Sequence, residues 1–238
     1  MPHAAPAIIT ALKEELAAVR AGIPADQHAQ AVLLRGGVGW QSATRAANGV
    51  FTDATPSWLC SSGFCGALCD GLQVGDVVLA SSIQCGDAGA SAFALDAAFL
   101  SNMTAVLKAA GVKFHVGGLI CTREPVLTRE HKRALGERAS CVAVDMESYA
   151  VAQAAAGRCP VFAIRSISDS VEDELPPQVS GFLNENGDVR FINVAKFALS
   201  SHRNIKTLCD LGARSKRAAA GLTAAWKALW PVVQRKVL

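Results

Sequence analysis

Short apolar runs recur along this chain, each followed by a stretch whose apolar residues repeat at helical spacing, and this alternation restricts the possible folds more than any other feature. Ala7–Thr10 predicts a first strand and Leu12–Arg20 a helix. Ala31–Arg35 predicts a second strand, followed by a glycine loop and a helix from Gln41 to Phe51. Trp58–Ser62 and Asp76–Ile83 read as strands, Leu100–Ala110 as a helix and Val116–Cys121 as a strand. Thr128–Arg138 then reads as a helix, Cys141–Val144 as a strand, Met146–Ala156 as a helix and Val161–Ser168 as a strand. Strands this apolar are buried on both faces, which requires a mostly parallel sheet with helices on either side. The expected class is therefore α/β. With 238 residues, 51% of them apolar and 18% charged, the chain can bury a large core rather than stay disordered. No repeat or low-complexity linker interrupts it, so one domain over residues 1–238 is the economical expectation. Glu172–Asp188, with Pro176, Pro177, Gly181 and Gly187, reads as a long loop of the kind that forms a lid or binding loop.

Composition narrows the function. A net charge of +3 is too small to argue for a nucleic-acid partner. The segment Met1–Thr10 lacks the basic start and long apolar stretch of a secretory signal. The cysteines at 60, 65, 69, 85, 121, 141, 159 and 209 form no C-x-x-C pair and lie mostly in apolar runs, where a reduced thiol behaves as a small apolar side chain. A cytoplasmic location and no structural metal are the expectation. No apolar run reaches the roughly 18 residues of a membrane-spanning helix.

In open α/β sheets ligands bind beyond the carboxyl ends of the strands. Glu14 and Glu15 follow the first strand, Gly36-Gly37-Val38-Gly39 the second and Gly63–Gly66 the third. Asp145 and Glu147 follow the strand at 141–144, and Asp169 follows the last. Carboxylates and glycine loops thus converge on one sheet edge. Such a set suits the breaking of a ribosyl C–N bond, where the departing base needs a proton, the cationic sugar needs carboxylates, and an attacking water needs a base. Asp169 is the candidate general acid, since desolvation at a strand end can hold a carboxyl protonated; it could equally cap backbone N–H groups. Glu147 is the candidate acceptor for sugar hydroxyls, or else a first-turn residue favoured by the helix dipole, with Asp145 as a cap that presents it. Glu15 is the candidate base for water, or part of a solvated helix face; only one of Glu14 and Glu15 can face a site, because adjacent helical residues point about 100° apart. The loop from Arg35 to Gly39 could bring N–H groups to an oxyanion or water, or could be only a turn. It is not a Walker loop, and no G-x-G-x-x-G opens a helix after the first strand, so no cofactor is expected and a dinucleotide-dependent oxidoreductase is disfavoured.

Taken together and in order, these residues resemble the purine nucleoside phosphorylase and methylthioadenosine/adenosylhomocysteine nucleosidase family. The resemblance rests on Ile8-Ile-Thr-Ala-Leu-Lys-Glu-Glu15, Gly37-Val-Gly39, Ser62-Gly-Phe-Cys-Gly-Ala-Leu68 followed by Val74-Gly-Asp76, Ala143-Val-Asp-Met-Glu147 and Ile164-Arg-Ser-Ile-Ser-Asp169, over roughly residues 7–170. It implies a three-layer α/β/α sandwich around a mixed, partly barrel-like sheet. It also implies Asp169 as the acid for the purine, Glu147 as the ribose ligand with Met146 under the sugar, and Glu15 as the base in the hydrolytic branch. Thr122–Val126 matches the stretch that lines the purine, with Val126 as the contacting residue, while Gly37, Gly39, Gly63 and Phe64 match substrate-side loop positions. A nucleoside substrate and a homo-oligomer, with a partner chain closing the sugar side, are implied as well.

The sequence departs from the family at Phe64, where a serine contacting phosphate or substrate is usual, and at Asp145, where a Glu is usual. An arginine near phosphate in phosphorylases corresponds to Ser61 or Ser62, although Arg35, Arg45 or Arg165 could substitute. Phe64 and Glu15 point to water, with phosphate as the alternative nucleophile. Val144–Ala152, Leu175-Pro-Pro and the basic tail after Phe197 resemble a subgroup linked to hopanoid synthesis, which implies adenine release from an adenosyl-hopane; methylthioadenosine or adenosylhomocysteine is the alternative substrate. A catalytically silent nucleoside-binding protein on this fold is the reading from another class. Leu222, Trp226, Leu229, Trp230 and Val233 fall at helical spacing near Lys227, Arg235 and Lys236, and so read as a final helix packed on the domain or as an interfacial helix touching a membrane. Pro231 is expected to end or kink that helix.

Overall fold

The computed structural model describes residues 5–87, 91–182, 184, 186, 188 and 190–234. Its strands are β1 (Ala7–Thr10), β2 (Val32–Arg35), β3 (Leu59–Ala67), β4 (Val77–Cys85), β5 (Phe93–Ala94), β6 (Phe114–Cys121), β7 (Cys141–Asp145) and β8 (Val161–Asp169). Its helices are α1 (Lys13–Gly22), α2 (Trp40–Val50), α3 (Ala97–Ala109), α4 (Arg129–Ala139), α5 (Ser148–Ala155), α6 (Phe191–Ser200) and α7 (His202–Val233), with single 3₁₀ segments at Ala25–Gln30 and Pro177–Gly181.

The strands join one mixed sheet that closes on itself. In the ring β3–β7–β6–β4–β8, β8 returns to pair with β3. Within it β3/β8, β4/β6 and β6/β7 are parallel, while β3/β7 and β4/β8 are antiparallel. β1 and β2 extend the sheet in parallel from β3, and β5 adds an antiparallel edge to β4. Helices α2 and α5 pack together with Ala43, Ala47, Ala150 and Val151 in one buried layer against β1 and β3. Helices α1, α3 and α7 cover the other face, where Val19, Met103, Leu107, Leu222 and Trp226 meet Ile8, Leu79 and Ile164. The expected α/β/α layering around a mixed, partly barrel-like sheet is what the chain forms.

Local chemistry fixes the boundaries. Asp96 caps α3 by accepting from Phe99 N–H (2.8 Å), and Thr128 caps α4 by accepting from His131 N–H (3.2 Å). α4 stops at Ser140, whose backbone is left-handed (φ 52°). Three expectations are corrected. The third strand does not stop at Ser62; it runs on through Gly63–Gly66 to Ala67, because β8 pairs with it along that whole length. The fifth helix begins at Ser148, not Met146, since Asp145 ends the strand and Met146-Glu147 make a bend. The stretch from residue 191 onward, where only a final helix around Leu222–Val233 was expected, forms α6 and a 32-residue α7.

That last helix turns its apolar residues inward, and Arg235 and Lys236 of the expected basic tail lie outside the described residues. Leu222, Trp226 and Leu229 are fully buried and Trp230 and Val233 nearly so, and all of them belong to the main core rather than to a free surface. Trp226 Nε1 donates to Ser62 Oγ (2.8 Å) and Trp230 Nε1 to Gln27 Oε1 (2.7 Å), as buried indoles require. Pro231 neither ends nor breaks α7: it lies on the exposed side in the last turn, so the hydrogen bond it removes is one near a terminus. No helix among the described residues is long and apolar enough to cross a membrane. Trp226→Ala should cost about 3–5 kcal/mol in urea denaturation, as for large core residues; a loss of less than about 1 kcal/mol would mean that α7 is not part of the core.

Candidate active site

The site grows from the carboxyl ends of β1, β3, β7 and β8. A pocket of about 190 Å³ opens there, and its walls include Glu15, Phe64, Val126, Met146, Glu147 and Asp169. Every candidate acid, base and sugar ligand from the sequence is therefore in one cavity, joined by Asp145, Thr122, Ser168 and Leu175.

Glu15, not Glu14, faces inward. Glu15 is 3% exposed, whereas Glu14 lies at the surface beside Lys13 (3.9 Å). As the third residue of α1, Glu15 turns back so that Oε2 accepts from Ala11 N–H (2.8 Å) and Leu12 N–H (2.9 Å), and Oε1 accepts from Phe64 N–H (2.7 Å). The same carboxylate thus closes the helix N-terminus and ties α1 to β3. Burial pushes its pKa above the ordinary glutamate value, against the opposing pull of Arg165 and the three N–H donors.

Glu147 stands just past β7. Its Oε1 accepts from Gly39 N–H (2.8 Å) and its Oε2 lies 3.8 Å from the Arg165 guanidinium. Burial raises its pKa to about 7, with Asp145 and Glu15 adding to the rise and Arg165 and Gly39 opposing it. Asp145 beside it accepts from Ser148 N–H (3.0 Å), so it does cap the turn that presents Glu147. The glycine loop serves the frame rather than an oxyanion: Gly37 and Gly39 have positive φ (94° and 84°), Val38 alone of the three lines the pocket, and the Gly39 N–H goes to Glu147. Gly63 likewise stands behind the pocket wall, where an added Cβ would come within 2.5 Å of Arg165 Nη1 and 2.6 Å of Glu15 Oε1.

Beneath the carboxylates lies Arg165, 1% exposed. Its Nη2 contacts Asp145 (2.5 Å) and donates to Ser61 Oγ (2.7 Å) and Ser148 Oγ (2.9 Å). It is a sealed counter-ion, not a free anion-binding group. Arg35 is engaged with Asp188 (2.6 Å), and no arginine or lysine is among the described residues lining the pocket.

Asp169 ends β8, with Oδ1 accepting from Ser168 Oγ (2.7 Å). Its Oδ2 accepts from Lys132 Nζ (2.5 Å), a fully buried lysine that the sequence reading passed over. Lys132, Leu135 and Gly136 share one face of α4 at three- and four-residue spacing, and all three are buried. Asp169 therefore sits against a buried lysine.

Residues 7–198 match the family described as the phosphorylase superfamily. This chain belongs to that superfamily. Over 175 residues it is 26% identical to the 5′-methylthioadenosine/S-adenosylhomocysteine nucleosidase of Shewanella loihica, covering 66% of this chain and 76% of that one. It is 28% identical to the enzyme of the same name from Haemophilus influenzae over 168 residues, 64% and 73% of the two chains. Among solved structures, it shares its fold with the nucleosidase of Helicobacter pylori (TM-score 0.73, 14% identity, 97% and 99% coverage) and with futalosine hydrolase of the same organism (TM-score 0.71, 15% identity, 96% and 97% coverage).

The raised pKa of Glu147 carries a pH signature. The folded chain keeps a proton on Glu147 at pH values where the unfolded chain, with an ordinary value of 4.5, has lost it. That contribution to stability is present below the unfolded value and disappears as pH rises through about 7. Urea denaturation of Glu147→Gln should gain on the wild-type chain between about pH 5 and about pH 8; a difference that does not change with pH would refute the buried carboxylate cluster.

Proposed function

We propose that this chain is a nucleosidase that hydrolyses the N-glycosidic bond of an adenosyl nucleoside, with water as the nucleophile. The observation that carries this reading is the charge of the pocket. Glu15, Asp145, Glu147 and Asp169 line it, and no described cation does. A phosphate dianion placed there would meet like charge without a counter-ion, whereas a sugar gaining positive charge would be stabilised. Phe64, at the position where the family usually has serine, offers a ring in place of a hydroxyl and spends its N–H on Glu15.

The roles follow from position. Asp169 gives a proton to the departing purine, Glu147 accepts from the ribose hydroxyls above Met146, and Glu15 takes the proton of the attacking water. A carboxylate whose pKa is raised by burial is a stronger base, which suits Glu15 to that task near neutral pH. Thr122, Pro125 and Val126 form the wall on the purine side. The names of the relatives support hydrolysis of adenosyl compounds. Leu12, Val38, Phe64, Pro125 and Leu175 make the remaining wall apolar, which favours an apolar 5′ substituent such as methylthio or hopanyl over a free hydroxyl.

Base release is measured from methylthioadenosine, adenosylhomocysteine, adenosyl-hopane, adenosine and inosine, each with and without phosphate. Adenine should appear without phosphate, and Glu15→Gln and Asp169→Asn should each lower kcat by about 10²-fold or more. A strict need for phosphate would overturn the hydrolytic reading. Tight binding of an adenosyl ligand with no release from any substrate would make the chain a binding protein.

A further inference from the structure

Helix α4 turns its cations toward the segment that follows Asp169. Arg129 pairs with Glu172 (3.1 Å), and Arg133 pairs with both Asp70 and Glu172. These ion pairs lie at the surface. Lys132, between them in sequence, is different. Its side chain is wholly buried, and Nζ donates to Asp169 Oδ2 (2.5 Å), Ser170 O (2.9 Å) and Asp173 O (2.8 Å). An ammonium has three protons to donate, and here each has an acceptor. With Ser168 Oγ donating to Oδ1 and Gly66 leaving room where a Cβ would press on Oδ2 at 2.9 Å, the Asp169 carboxyl is fixed in one orientation. Sealing an ammonium away from water is costly, and an apolar side chain of similar size would avoid that cost. A lysine sealed here therefore points to a task at Asp169.

We propose that Lys132 is a positioning residue for the proton donor: its ammonium holds the Asp169 carboxyl toward the purine and stabilises the carboxylate left behind when the proton departs. This rests on the nucleosidase reading above. In the step, the C–N electron pair passes to the base, whose ring nitrogen takes the proton of the Asp169 carboxyl. The water oxygen bonds to C1′ and its proton goes to Glu15. Negative charge therefore disappears from Glu15 and appears on Asp169, beside Lys132 Nζ. A cation fixed in advance at the position where charge develops needs no reorganisation during the reaction.

The test separates help with base departure from support of the fold. Lys132→Met and Lys132→Gln, the latter keeping a donor without the charge, are compared with the wild-type chain on two substrates. One is the adenosyl nucleoside that the wild-type chain cleaves fastest. The other is 4-nitrophenyl riboside, whose nitrophenolate leaves without a proton. Both variants should lose about 10²-fold in kcat on the nucleoside with KM within about threefold, and keep nitrophenyl riboside turnover within about threefold. In the Asp169→Asn background, Lys132→Met should cost nothing further. Equal losses on both substrates, no loss on the nucleoside, additive losses in the double variant, or failure of both variants to fold would each overturn the assignment. If the wild-type chain does not accept the nitrophenyl riboside, the double variant decides. A wild-type chain that releases no base from any nucleoside instead removes the nucleosidase reading itself, and this assignment with it.

Discussion

A guanidinium shut away from water has to be answered by negative charge, and the way Arg165 is answered organises the rest of the site. Its planar fork reaches Asp145, Ser61 and Ser148 directly and brings Glu147 within 3.8 Å. Ser61 comes from β3, whereas Asp145, Glu147 and Ser148 come from the junction of β7 and α5. Removing the arginine would leave several carboxylates buried together without a counter-ion. Keeping it allows Glu15 and Glu147 to line one pocket, at the cost of the raised pKa values that burial imposes on both. Arg165 is spent in this role, and its 1% exposure keeps it from serving as an anion site as well.

The same logic divides the pocket in two. Both buried cations, Arg165 and Lys132, lie behind the lining rather than in it. Arg165 supports the carboxylates that would face sugar and water, and Lys132 supports the one that would face the base. The lining therefore offers carboxyl groups, the hydroxyls of Thr122 and Ser168 and apolar side chains, while the cations that make those carboxyl groups tolerable lie behind it. Such a surface attracts a sugar cation and repels a phosphate.

The sequence showed most of this and missed the parts that depend on long-range pairing. β1 and β7 were legible because buried strands are continuous apolar runs, and β6 because its second half, Leu119–Cys121, is one. The C-terminal half of β3 was not, since Gly63 and Gly66 carry no apolar pattern and glycine ordinarily marks a turn. Glu15, Glu147 and Asp169 could be named from residue type and order. Glu15 is held inward rather than Glu14 by the local N–H groups of Ala11 and Leu12 together with Phe64 N–H, 49 positions away. Lys132 was hidden because a lysine on a polar helix is expected to face solvent, and only the end of β8 makes it otherwise. The first two-thirds of α7 escaped notice because its buried residues concentrate near the end, from Ala218 onward.

The glycines of β3 then acquire a definite meaning. In the register between β3 and β8, Gly63 stands opposite Arg165 and Gly66 opposite Asp169. The two positions that lack a side chain on one strand face the two that carry the essential charge on the other. A Cβ at Gly63 would collide with Arg165 and Glu15, and one at Gly66 would crowd Asp169. Between them the pairing shifts, from Cys65 with Ile167 to Gly66 with Asp169, leaving Ser168 as the extra residue. A bulge of this kind re-aims the side chains at a strand end. Ser168 uses that freedom to donate to Asp169 and to Cys65 O (3.2 Å). What the sequence presents as a glycine-rich turn is a strand stripped of its side chains so that its neighbour can hold an arginine and an acid four residues apart.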